Sequence, residues 1–132
     1  MTEPRVIDVK QAAKVNADFR RVLYTGPHSQ LVLMALAPNE EIGTEVHGNV
    51  DQLLYVVKGE GVAVLGSAKR PFDKGAVICV PAGTTHNVIN TGDEPLKLFT
   101  VYSPPQHAPE TVHHTKSDAD KAEEIETAVA QA

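Results

Sequence analysis

The sequence predicts an all-β sandwich or barrel, and three observations carry that reading. Turn formers are frequent, with Gly and Pro at 9 positions each in 132 residues. Apolar residues fall in about nine short runs broken by Gly, Pro, Asn and Asp, not at helical spacing. One stretch, 75–90, reads as two apolar strands around a tight turn: Pro81 removes a ladder donor and Gly83 permits positive φ.

Taken in order, residues 5–9 read as a short edge strand and the Ala-rich 10–17 as a helical turn. A strand over 19–25 precedes the Gly26-Pro27-His28 turn. Residues 30–37 are apolar on both faces and require cover on each. A strand begins at Glu45–His47 and another runs over 52–58. Residues 62–65 follow the Gly59-Glu60-Gly61 turn, and 66–74 read as a polar connection. Strands at 76–80, 86–90 and 96–102 complete the set. Beyond Ser103-Pro104-Pro105, His107, His113 and His114 read as tail residues. A helix capped by Ser117 or Asp118 then runs through Ala119, Glu123, Ile125 and Val129.

The length fits one domain, with 42% hydrophobic residues enough for a modest core. Lys and Arg number 12 against 17 Asp and Glu, for a net charge of −5. No basic cluster is present, so no nucleic-acid partner is expected. No apolar run approaches the ~18 residues of a membrane span. Cys79 is the only cysteine and the N-terminus, Met-Thr-Glu-Pro-Arg, has no apolar signal core. Both features suit a cytoplasmic protein.

The stretch 75–90 also fits the pattern G-x5-P-x-G-x2-H-x3-N at every fixed position, through Gly75, Pro81, Gly83, His86 and Asn90. This resembles the second motif of the cupin superfamily. The first cupin motif, G-x5-H-x-H-x3-4-E-x6-G, fits residues 39–59 with substitutions. Asn39 stands for Gly, Glu45 for the first His and Gln52 for Glu, while His47 and Gly59 match. The resemblance implies a double-stranded β-helix, the cupin jelly-roll barrel, over residues 18–103. Residues 1–17 form an N-terminal extension and 104–132 a tail with a short helix. The mannose-6-phosphate-isomerase-like small cupins share the Glu-Val-His-x4-Gln segment.

On this resemblance Glu45, His47, Gln52 and His86 converge inside the barrel as ligands of a divalent ion: Fe, Mn, Zn or Ni. Glu45 and His47 are two residues apart and so share a face. Glu45, His47 and His86 alone make a two-His-one-carboxylate triad with open positions, and Gln52 either completes the shell or binds a ligating water. Asp51 should face away, Asn90 should hold a strand end, and Cys79 should point outward with Val77. Two functions follow. One is a metal-dependent enzyme on a small molecule, either a Lewis-acid isomerase, epimerase or lyase, or an O2-dependent dioxygenase. The other is a non-catalytic barrel that binds or senses a small ligand. Residues 31–37 and 53–57 are apolar on both faces, and with small cupins commonly pairing through their sheets, a homodimer is expected.

Overall fold

The computed structural model describes the backbone of residues 3–131 and the side chains of 3–125. Met1, Thr2 and the Val129 side chain lie outside that range. Helix α1 (Val9–Val15) leads into β1 (Arg20–Thr25), β2 (Gln30–Leu36), β3 (Asp51–Lys58), β4 (Gly61–Leu65) and β5 (Ala68–Phe72). Then come β6 (Val77–Val80), β7 (His86–Asn90), β8 (Leu96–Ser103), the two-residue β9 (Val112–His113) and helix α2 (Lys116–Gln131). All pairings are antiparallel. One sheet has the order β6-β3-β8-β2-β1-β9, the other β5-β4-β7.

Alternation places the core. In β3, Gln52, Leu54 and Val56 are buried while Leu53, Tyr55 and Val57 face outward, as a two-residue period requires. The same period buries Leu96, Leu98, Thr100 and Tyr102 of β8. These inner faces meet Val32, Met34, Ala63, Val80 and Val88 in one cluster. Strand β2 is buried on both faces because α1 lies against β2, β3 and β8 on the outside. Gly61 admits no side chain: a Cβ there would stand 2.2 Å from the Ile89 carbonyl oxygen.

Four local expectations are corrected. Residues 5–9 form no strand; Asp8 instead caps α1 by accepting from the Gln11 amide at 3.2 Å. Residues 45–47 form no strand either, since Glu45 makes a single bridge, to His86, before the chain turns away. The polar 66–74 segment holds β5, which pairs along the whole of β4 and leaves its charged side chains in water. At α2 the cap is Thr115, whose hydroxyl accepts from the Asp118 amide at 3.0 Å.

Candidate metal centre

Backbone bonds bring the two motifs together. The Glu45 and His86 amides each donate to the other's carbonyl at 2.9 Å, a closely paired antiparallel bridge. The turn before His86 is fastened too. Gly83, at φ +81°, donates to the His47 carbonyl at 2.7 Å, and the Ala82 amide donates to Asp51 Oδ1 at 2.9 Å. Asp51 therefore faces away from the barrel, as its place beside inward Gln52 demands. Asn90 donates to the Leu36 and Glu94 carbonyls at 3.0 and 2.8 Å and holds a strand end. Cys79 is exposed on the outer face.

The four candidate ligands form two close donor pairs. His47 Nε2 lies 3.0 Å from Glu45 Oε2. His86 Nε2 lies 3.1 Å from Gln52 Oε1. The two imidazole centroids are 5.6 Å apart. Among the described residues no group of three or more His, Cys, Asp or Glu stands ready to hold a metal ion, so the pairs are neighbours rather than a closed cage.

The donor chemistry fits a cation nonetheless. His86 Nδ1 faces the Thr84 carbonyl at 2.9 Å, which only accepts, so Nδ1 carries a proton and in the neutral imidazole Nε2 presents a lone pair. Gln52 turns its Oε1, a second acceptor, toward that lone pair while its Nε2 donates to Thr100 Oγ1 at 3.0 Å. Two facing lone pairs are stabilised by a cation that both can reach, by a second proton on the ring that Nε2 then donates, or by turning the amide over. Buried His47 Nε2 makes no geometrically formed hydrogen bond, and Glu45 Oε2 stands 3.0 Å from it as an ion-pair neighbour. Adjacent ligands at right angles on bonds of ~2.1 Å stand about 3.0 Å apart, the spacing of both pairs.

Charge favours an ionised Glu45. Burial opposes its ionisation, but His47 beside it, with Arg20 and His86 farther off, outweighs burial and holds the carboxyl below the usual carboxylate range.

Two of the donors, Glu45 and His47, open on a cavity of about 390 Å³ between β1, residues 44–47, the tail and α2. Its walls include groups whose role the sequence pattern did not indicate: Arg20, Gln106, His107 and His113. Arg20 was legible only as a charged residue two positions from inward Val22. His107 is placed by Gln30, fully buried in β2. Gln30 Oε1 accepts from the Gln106 and His107 amides at 3.2 and 2.9 Å, and Nε2 donates to the His107 carbonyl at 2.7 Å. Burial first, and Arg20 second, push the His107 imidazole down to about 3. Its ring meets Tyr102 edge to face at 5.1 Å, and burial raises the Tyr102 hydroxyl. His113 comes in on β9, beside Arg20. His114 instead pairs with Asp18 at 2.6 Å and is exposed.

Two packed antiparallel sheets with polar side chains gathered around a cavity define a jelly-roll barrel with a candidate ligand site. The chain belongs to the cupin family, whose Cupin domain model matches residues 32–102. It is 46% identical over 129 residues to the Bacillus subtilis protein YrkC, covering 92% of this chain and 69% of that one. A crystal structure from Bacillus halodurans superposes with a TM-score of 0.89 at 42% identity, covering 90% of this chain and 95% of the other. A glucose-6-phosphate isomerase of Thermococcus onnurineus is 36% identical over 63 residues, covering 42% of this chain and 33% of that enzyme.

Proposed function

We propose that this chain is a metal-dependent enzyme acting on a small molecule in the cavity beneath α2. Glu45, His47, Gln52 and His86 hold one divalent ion, of Fe, Mn, Zn or Ni. The carrying observation is the two donor pairs at 3.0 and 3.1 Å, with His47 Nε2 buried and lacking a hydrogen-bond partner. When bound, the ion supplies a Lewis acid that polarises a substrate oxygen.

The chain's own residues do the rest. The Thr84 carbonyl fixes the His86 ring, and Thr100 fixes the Gln52 amide. Helix α2 narrows access of water to the cavity. His107, uncharged at neutral pH, accepts a hydrogen bond from a substrate hydroxyl. We favour a redox-neutral isomerisation, epimerisation or elimination at a carbonyl compound over O2-dependent oxidation. The similarity to a glucose-6-phosphate isomerase supports this choice. A barrel that only binds or senses is not favoured. A cytoplasmic location goes with the lone thiol.

The outer sheet face supports a homodimer. Leu53 pairs with Cys79 on one side and Val101 on the other, while Leu53 and Val77 are about half exposed. A second copy related by a two-fold axis presents the same patch.

The deciding experiment is elemental analysis of protein purified without chelator or His-tag, followed by turnover of a sugar and keto-acid panel with O2 excluded. Stoichiometric metal and turnover without O2 are expected. Turnover that needs O2 moves the assignment to a dioxygenase, and no metal with no turnover removes the enzyme reading.

A further inference from the structure

Arg20 is the buried charge that the metal reading does not use. It is 7% exposed on the inner side of β1, and its Nε has no hydrogen-bond partner. Nη1 sits 3.3 Å from His113 Nδ1, and the guanidinium carbon lies 5.4 Å from the Phe19 ring centroid. Among the described residues Arg20 makes no ion pair, though it hydrogen-bonds the Tyr102 hydroxyl and feels the more distant charge of Glu45, so its Nε is the donor left unanswered. A guanidinium stays charged, and burying it with an unanswered N–H is costly unless something supplies the acceptor.

The cavity is where that acceptor belongs. Its volume of about 390 Å³ is shared by Arg20 with Glu45 and His47. That size is within the ~300–1,000 Å³ of small-molecule sites. We propose that the substrate is a small carboxylate whose carboxyl group docks on Arg20 while its remaining oxygens reach the Glu45–His47 pair. The Nε edge of a guanidinium matches the two oxygens of a carboxylate in one plane. The other walls favour a single negative charge over a phosphate dianion. Glu45 and Glu123 are acids on the same cavity, and His107 stays uncharged there. This inference names the substrate class of the site proposed above and rests on that reading, but Arg20 is outside the metal ligand set, so the two fail separately.

The test follows the Arg20 Nε–H in proton–nitrogen NMR spectra, identified by its loss in Arg20→Lys. Sodium lactate, lactamide and inorganic phosphate are titrated into metal-stripped and zinc-loaded protein. Lactate should shift and saturate that signal, and lactamide at the same concentration should leave it in place. Lactate affinity should fall about tenfold in Arg20→Lys, the loss of one charge-assisted bond. An unmoved signal, an equal response to lactamide, or preference for phosphate overturns the carboxylate. Saturation by lactate in protein that takes up no zinc keeps the carboxylate and removes the metal. Zinc uptake without a lactate response does the reverse. Should Arg20→Lys fail to fold, the lactate and lactamide comparison on the parent protein still decides.

Discussion

The Gly83 amide donates to the His47 carbonyl at 2.7 Å, so the turn carrying one cupin motif is tied to a candidate ligand of the other. Gly83 reaches this position at φ +81°, with nothing within 4 Å of where a Cβ would stand. Gly83→Ala therefore adds strain without a clash, costing about 1–2 kcal/mol. Chemical denaturation should read that loss. A variant as stable as the parent would show that the turn relaxes without strain.

His47 and His86 offer the two imidazole Nε2 atoms of the site. His47→Ala combined with His86→Ala should abolish stoichiometric metal, leaving bonds of ~2.0–2.3 Å nowhere to form. Far-ultraviolet circular dichroism checks that the barrel survives. Full metal occupancy in a folded double variant would place the ion elsewhere.

Gln52 is buried at 3% exposure, with its amide between His86 and Thr100. Gln52→Glu adds a second carboxylate. It should tighten binding of a divalent ion while lowering the acidity of water bound to it. Gln52→Leu should weaken binding and also leave His86 and Thr100 without their partner. Competition with a zinc indicator dye measures both. Parental affinity in both variants would take Gln52 out of direct ligation.

Much of this was legible in the chain. The inward triplet Gln52, Leu54 and Val56 follows from strand periodicity, whereas Glu45 and His47 come within 3.0 Å of each other although residues 45–47 form no strand, so their meeting has another cause than the strand period. What was not legible depends on long-range contacts. Residues 68–72 are polar because β5 is an exposed edge of the smaller sheet, so they carry no apolar signal. His107 and His113 look like tail residues until Gln30 clamps the backbone at 106–107 and β9 pairs with β1. Sequence spacing cannot reveal a bond across 77 residues.

His107 also sets an acid sensitivity. Its folded value of about 3 lies below the usual 6.5, chiefly because burial disfavours the charged ring. Below about pH 6.5 the unfolded chain takes up a proton that the folded chain refuses. The His107 contribution to stability is thus complete above about 6.5 and is lost progressively as pH falls toward 3. Glu45, held low, adds a loss in the same direction only below its usual 4.5. Between pH 7 and 5 the melting temperature of His107→Gln should therefore fall less than that of the parent. Parallel curves would mean that the His107 ring takes up its proton without unfolding.

The outer face of the six-stranded sheet is only partly covered within one chain. Helix α1 covers one part of it, leaving Leu33 only 2% exposed. Beyond that helix Leu53 is 47% and Val77 53% exposed, and they lie on adjacent strands, with β6 at the sheet edge. Tyr55, stacked on Phe99 at 5.0 Å, continues the apolar surface toward α1. The described first turns of α2, through Glu123, pack over the cavity at the barrel mouth and not over this face. Burying such a patch gains about 25 cal/mol for each Å² removed from water, and a second copy offers a matching surface. Light scattering after size exclusion should give twice the 14.2 kDa chain mass. Leu53→Lys puts a charge at the centre of the patch and should return the protein to monomer with its melting temperature little changed. A parent that stays near 14.2 kDa as concentration rises would show that the exposed face is simply solvated.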